Sequence, residues 1–185
     1  CLIFGVPASG KTEVYIRLIR LALASGGQAL FLVPEIALSR PFLESFQSSI
    51  GLPVVAWHSK VSARERRAIW MDLRLGHARV VVGARSATLL PFSDLRLIVM
   101  DEEQDESYKQ EGQVPYYHAR AVALRRAEDF SCAVVFGSAT PSLEAWVQVK
   151  MGQMDLVQLK DRVFRNTPFP SLRILPRPHD ERCLS

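Results

Sequence analysis

The chain has 185 residues, 48% hydrophobic and 23% charged, with a formal net charge of +4. That is the composition of an ordinary globular domain with enough length for one core, which excludes a disordered or fibrous chain; the small positive excess permits a polyanionic partner without requiring one. Cys1, Cys132 and Cys183 are too scattered to indicate a disulfide framework or a zinc site, apolar runs such as "LRLIVM" are too short to span a bilayer, and no signal peptide is expected, so a reducing compartment fits.

Short apolar runs alternate with longer segments of helical period. "CLIF" predicts a strand ending at a glycine turn, and "GKTEVYIRLIRLALASGG" a helix that stops at Gly26 and Gly27. "QALFLVP" reads as a buried strand stopped by Pro34. "ALSRPFLESFQSSIG" reads as a helix in which Pro41 is tolerable only near the first turn. "LPVVAWH" is the third strand. "SARERRAIWMDLRLG" opens with the capping box Ser62 to Glu65 and closes at Gly76; its Arg64, Arg66, Arg67 and Arg74 read as a solvated helix face. "ARVVVGA" and "LRLIVMDEE" are two more strands, followed by the polar, aromatic stretch "QDESYKQEGQVPYYH". Then come the helix "ARAVALRRAEDF", a sixth strand "CAVVFGSAT", and the helix "PSLEAWVQVKMG" with Pro141 at its start. Strands apolar across their whole width and separated by helices predict an α/β fold, a parallel sheet covered on both faces. After Gly152 the character changes. "MDLVQLK" fits one more strand, and the proline-rich end reads as an extended linker.

Three motifs carry chemistry. Residues 5–12, Gly-x-x-x-x-Gly-Lys-Thr, form a phosphate-binding loop between a predicted strand and a predicted helix. Gly5 and Gly10 let backbone N–H groups curl around phosphate oxygens at a helix N-terminus. Ser9 lies within the same loop, Lys11 reaches the β- and γ-phosphates, and Thr12 offers its hydroxyl to Mg²⁺. The bland alternative is a glycine-rich turn. The second motif is Asp101-Glu102, delivered by an apolar strand to the sheet edge where ligands bind in open α/β folds. Asp101 is placed to hold Mg²⁺ and Glu102 to orient an attacking water; the alternative is a solvated acidic turn, since Glu103, Asp105 and Glu106 are acidic too. The third is Ser138-Ala139-Thr140, on the same edge. Its hydroxyls suit a bond to the acidic pair, and Thr140 also suits the N-cap of the next helix.

These motifs, in this order, resemble the first RecA-like lobe of superfamily 2 helicases. "GKTEVY", "LVPEIAL", the run of His58, Ser59, Glu65, Arg66 and Trp70, "VVGARSA", "DEEQDESYKQ", "YYHARAVALRRA" and "GSATPSLE" narrow the resemblance to the PriA family of bacterial replication-restart helicases, over residues 1 to about 160. The resemblance implies a P-loop NTPase (RecA-like) three-layer fold, ATP and Mg²⁺ as cofactors, and 3′-to-5′ movement on DNA. It implies a lobe over 1–152, cut at its N-terminal edge, and a linker over 153–185 toward a second lobe. Family members are several times longer, so the chain is expected to be a piece, with zinc confined to family regions outside it. Expected partners are single-stranded or forked DNA, primosome proteins and single-stranded-DNA-binding protein, in a bacterial cytoplasm near the nucleoid. Gln104 joins Lys11, Asp101 and Glu102 as a catalytic position. Pro34, Glu35, Arg85 and Ser86 match segments that contact the DNA backbone. Tyr108, Lys109, Tyr116, Tyr117, His118 and Arg120 match an aromatic-rich loop that couples DNA contact to hydrolysis, where rings stack on bases and cations hold phosphates. Ser138 and Thr140 belong to the coupling motif.

The chain departs from the family at its end, where "RILPRPHDERCLS" loses the family pattern, and in three further places. Gln104 stands where a histidine is usual, Pro7-Ala8 replaces a Thr-Gly-like pair and removes one N–H donor, and Ala121 replaces an aspartate. Without an arginine from a second lobe, binding with little turnover is expected. Two rivals remain: a non-catalytic nucleic-acid-binding remnant, and a small-molecule kinase sharing the loop but not Ser-Ala-Thr or the aromatic stretch.

Overall fold

The computed structural model describes residues 1–112 and 114–163. Nine strands and five helices follow in the order β1 (Leu2–Gly5), α1 (Lys11–Ala24), β2 (Gln28–Leu32), α2 (Arg40–Ile50), β3 (Val55–Trp57), α3 (Ala63–Arg74), β4 (Val80–Gly83), β5 (Leu95–Asp101), β6 (Lys109–Gln110), β7 (Tyr117–His118), α4 (Ala119–Phe130), β8 (Ala133–Ser138), α5 (Leu143–Lys150) and β9 (Leu156–Leu159). Seven strands form one sheet in the order β3-β4-β2-β5-β8-β1-β9, every pair parallel. The strand "MDLVQLK" is thus realised as β9, along the open side of β1. From residue 164 on, the expected linker lies outside the described residues.

Side chains alternate across the sheet, so each strand feeds two cores. Ile3, Ala29, Phe31, Val99 and Val135 pack under Tyr15, Ile16, Ile19 and Leu23 of α1 and Phe46 and Ile50 of α2. On the other face, Leu2, Leu30, Leu32, Ile98, Met100 and Phe136 meet Leu73 of α3, Ala119 and Ala123 of α4 and Ala145 of α5. Both faces of the central strands are therefore dry, the arrangement that their unbroken apolar runs predict. Among the described residues no helix is long and apolar enough to cross a membrane.

Local signals act as the sequence indicates at most helix ends. Ser62 and Glu65 form a complete capping box at α3, and Pro41 falls in the first turn of α2, whose Ser39 side chain accepts from the Phe42 N–H. One expectation is corrected. Ser142, and not Thr140, caps α5: its side chain accepts from the Ala145 N–H, while the Thr140 N–H donates to Ser138 Oγ at 2.8 Å. Pro141 consequently precedes the cap and lies outside the helix. The polar aromatic stretch folds as the antiparallel hairpin β6–β7, with Lys109 opposite His118 and Gln110 opposite Tyr117.

Candidate active site

Strand register brings the three motifs together. β1 lies beside β8, with Phe4 opposite Ser138, and β8 lies beside β5, with Gly137 opposite Asp101. The phosphate loop, the acidic pair and Ser-Ala-Thr therefore leave the C-terminal edge of three neighbouring strands. The phosphate loop and the acidic pair border a cavity of about 480 Å³ lined by Pro7, Ala8, Ser9, Gly10, Lys11, Thr12, Asp101, Glu102 and Val163, and Ser-Ala-Thr stands beside it without lining it.

The loop is held in an anion-binding form. Gly10 caps α1 with φ +89°, a conformation that L side chains rarely adopt, and Ala8 is also left-handed at φ 62°. Lys11 is buried and its Nζ donates to the Gly5 carbonyl at 2.8 Å, while the buried Ser9 Oγ has no hydrogen-bond partner among the described residues. An orphaned hydroxyl, a helix N-terminus and a buried ammonium around one cavity fit a polyphosphate, and Thr12 and Asp101 on the same cavity fit its divalent cation.

Asp101 sits in a deliberate frame. Tyr15 Oη, fully buried on α1, donates to Asp101 Oδ1 at 2.9 Å, and Tyr108 Oη donates to the Asp101 carbonyl at 2.7 Å. Burial pushes the Asp101 carboxyl above its usual range, against the Tyr15 bond, and burial likewise pushes both tyrosine hydroxyls up. Gly137 makes room for this contact: a Cβ there would overlap the Tyr15 hydroxyl.

Glu102 adopts φ 46°, a left-handed residue without glycine's freedom. Two interactions hold the turn. The Glu103 N–H donates to the Gly137 carbonyl at 3.1 Å. Gln104 Nε2 donates to Glu102 Oε2 at 2.9 Å, and Ser138 Oγ donates to Gln104 Oε1 at 2.6 Å. The result is a chain of hydrogen bonds from Ser138 through Gln104 to Glu102. Gln104 thus bridges the second and third motifs, using one amide group as both acceptor and donor.

Glu103 is the residue that the sequence hides. It is 2% exposed, accepts from the Ser142 N–H at 2.7 Å and from Ser142 Oγ at 3.0 Å, and pairs with Arg120 Nη2. Arg120 also donates to Ser142 Oγ and stacks over Phe136, with its guanidinium 4.9 Å from the ring centre. Its expected role as a phosphate contact is corrected: the guanidinium is committed to a buried carboxylate.

The residues expected to contact nucleic acid divide in the same way. Tyr108 is 0% exposed and part of the core, so it does not stack on a base. Pro34 is buried as well; the turn it begins presents Glu35 and Ile36 instead. Glu35, Arg85 and Ser86 do come together, in a polar cavity of about 320 Å³ shared with Ser59, Arg66 and Ser107. The Ser59 hydroxyl donates to Glu35 and holds its carboxyl below the usual range. Arg85 donates to the Ser107 and Lys109 carbonyls and lies 5.8 Å from the Tyr117 ring centre, tying the cavity to the hairpin. On the hairpin, Tyr116 is 69% exposed, Lys109 is exposed beside Glu111 at 2.5 Å, and Tyr117 and His118 are half-buried. His118 Nδ1 accepts from the Arg120 N–H at 3.1 Å, which caps α4; burial, with the nearby Arg120 charge, pushes its pKa down. Arg66 is the last correction. It leaves the solvated face of α3 and covers the Trp57 ring at 5.0 Å.

Comparison with known proteins places this geometry. The family described as DEAD/DEAH box helicase matches residues 1–148. The chain is 46% identical over 162 residues to the replication restart protein PriA of Bacillus subtilis (strain 168), an alignment covering 88% of the chain and 20% of that relative. It is 43% identical over 178 residues to the protein of the same name from Synechocystis, covering 94% and 21%. The chain therefore spans about a fifth of the length of these curated relatives. Among solved structures, RecG bound to a three-way DNA junction superposes with a TM-score of 0.60 at 21% identity, covering 86% of the chain and 20% of RecG. The Pyrococcus furiosus Hef helicase domain gives 0.59 at 23%, covering 86% and 34%. At those identities they show the fold alone, which is the RecA-like helicase lobe.

Proposed function

The chain belongs to the DEAD/DEAH box helicase family, and from that premise we propose that it is the ATP-binding motor lobe of a 3′-to-5′ DNA helicase of replication restart. The observation that carries this reading is the Ser138–Gln104–Glu102 chain of hydrogen bonds on one sheet edge with the phosphate loop. A change at either end of that chain is felt at the other. The 46% identity to a replication restart protein supports the choice of process.

The residues divide the work. The loop N–H groups around Gly10, the Ser9 hydroxyl and Lys11 bind the triphosphate, and Thr12 and Asp101 hold Mg²⁺. The cation supplies charge neutralisation across the transferring phosphoryl group. Tyr15 keeps one Asp101 oxygen fixed, so that the carboxylate meets the cation in one orientation. Glu102 accepts the proton of the attacking water at a carboxylate oxygen, while Gln104 fixes the other oxygen and Ser138 fixes Gln104. Glu35, Arg85 and Ser86 bind the DNA backbone, with Tyr116, Tyr117 and Lys109 of the hairpin alongside. Primosome proteins and single-stranded-DNA-binding protein are proposed partners of the whole protein, and the bacterial cytoplasm its place. Turnover by this chain alone is slow, because a second lobe's arginine contributes orders of magnitude in rate.

Calorimetry of Mg-ATP binding to this chain and to Lys11→Ala, with and without single-stranded DNA, tests the proposal. Binding that Lys11→Ala abolishes supports it. Absence of binding by the folded wild-type chain refutes it and leaves a non-catalytic nucleic-acid-binding remnant.

A further inference from the structure

Beside the polar cavity lies a second groove of about 400 Å³, lined by Trp57, Arg66, Arg67, Trp70 and Met71, with an almost wholly apolar surface. Trp57 is its buried floor at 7% exposure, while Trp70 and Met71 stand open at 44% and 54%. Two indoles and a thioether around one open groove make an apolar patch of the kind that marks a binding site. Its rim is cationic. Arg64, Arg67 and Arg74 are exposed on α3 and have no carboxylate within ion-pair distance among the described residues. Of the acids on the same helix, Glu65 is bonded to Ser62 and Asp72 stands exposed 3.8 Å from His77.

Arg66 gives the groove its character. Its Nε donates to the Val61 carbonyl at 3.0 Å, and its Nη2 to the His58 and Ser59 carbonyls at 3.2 and 3.3 Å. Three of its five N–H donors are thereby engaged, and the guanidinium is held over the Trp57 ring. A guanidinium held in this way offers a flat cationic surface instead of a flexible hydrogen-bonding head. The groove is also joined to the polar cavity: Arg66 lines both, and Trp57 Nε1 donates to Ser86 Oγ at 3.1 Å.

We propose that this groove is a stacking site for an unpaired nucleobase of single-stranded DNA, branching from the backbone track at Glu35, Arg85 and Ser86. The proposal rests on the DNA-binding reading above but on different residues. Rings and a guanidinium plane stack on any base, and the exposed Arg67 that lines the groove supplies a cation for the phosphates of the inserted nucleotide. An acidic peptide with an apolar anchor matches the same charges. The shared Arg66 and the Trp57–Ser86 bond favour the nucleic acid, because they make the groove continuous with the track.

The chain has three tryptophans, and the third, Trp146, packs against Phe4 at 5.8 Å, so indole fluorescence reports the groove. The experiment titrates labelled oligo-dT, and an abasic oligomer with the same number of phosphates, into wild type, Trp70→Ala and Arg85→Ala. The site predicts quenching by oligo-dT, an affinity for oligo-dT roughly tenfold lower in Trp70→Ala, and equal affinity of wild type and Trp70→Ala for the abasic oligomer. Oligo-dT binding that Arg85→Ala weakens and Trp70→Ala leaves unchanged overturns the groove and spares the DNA track. Loss of affinity for both oligomers alike in Trp70→Ala also overturns it. A peptide of aspartates ending in phenylalanine that binds the groove, depends on Trp70 and does not compete with oligo-dT assigns the surface to protein and overturns the proposal. Failure of every oligomer to bind, with Mg-ATP binding intact, overturns the groove and leaves the nucleotide site standing.

Discussion

Replacing Glu103 by glutamine tests whether the buried pair behind the turn from Asp101 to Gln104 is structural. The side chains of Glu103 and Arg120 are 0% and 12% exposed. Removing one charge leaves the other without a counter-ion in a dry site, which costs about 3–5 kcal/mol; replacing both with apolar groups is close to neutral. Glutamine keeps an acceptor for the Ser142 N–H, so the lower part of that range, about 3 kcal/mol, is expected for Glu103→Gln. With a urea slope of about 2 kcal/mol/M, the unfolding midpoint falls by roughly 1.5 M. Arg120→Met strands the carboxylate and is expected to cost at least as much. The double variant Glu103→Met, Arg120→Met recovers most of the loss. The assay is urea unfolding by far-ultraviolet circular dichroism at constant slope. A loss below about 1 kcal/mol for Glu103→Gln, or a double variant no better than the worse single one, would refute the reasoning.

Three further outcomes follow from the same contacts. Ser142→Ala should cost about 1 kcal/mol of stability through loss of the α5 cap, whereas Thr140→Ala should stay within about 0.5 kcal/mol; thermal unfolding of the pair separates the two caps. Gly137→Ala should destabilise by about 1–3 kcal/mol through overlap with the Tyr15 hydroxyl, and adding Tyr15→Phe should restore part of that in the same assay, at the expense of Mg²⁺-dependent nucleotide affinity. His118 has its folded pKa depressed by burial, so the unfolded chain takes up its proton first as pH falls. Stability from this group is full above about pH 6.5 and declines below it toward the folded pKa; the protection factors of amides at the start of α4, corrected for the intrinsic pH dependence of exchange, should fall on acidification in wild type and not in His118→Asn.

The sheet was legible because its central strands are apolar on both faces, so no alternation had to be resolved. Capping at Ser62 and the turn at Gly10 were legible because each depends on residues adjacent in sequence. What escaped was decided by contacts between distant residues. Glu103 sits in an acidic run that reads as solvated, and nothing local reveals that Arg120 and Ser142 will converge on it. Tyr108 reads as a stacking ring until the hairpin folds its hydroxyl under Asp101. Arg66 looks like its neighbours on α3 until the loop after β3 supplies three carbonyls. Thr140 and Ser142 offer the same hydroxyl, and the choice falls to the residue whose backbone leaves the β8 turn in extended form, Ser142 at ψ 156°. In the site, the residue types were legible and their partners were not.

The strand that bears the phosphate loop is clamped between β8 and β9, and the Leu2 N–H is bonded to the Asp155 carbonyl. The proposed nucleotide pocket is therefore built on a strand whose neighbours in the sheet lie far along the described chain. Closing so long a loop adds little to the equilibrium cost, since that entropy grows only with the logarithm of length. Its effect is on order and rate: distant parallel pairings form slowly. The loop is the first motif in the sequence, yet the strand that bears it pairs only with segments far along the chain. Ligand then acts as a latch. By mass action it favours only the fully closed sheet, so bound nucleotide should oppose any local opening that separates β1 from β8 or β9.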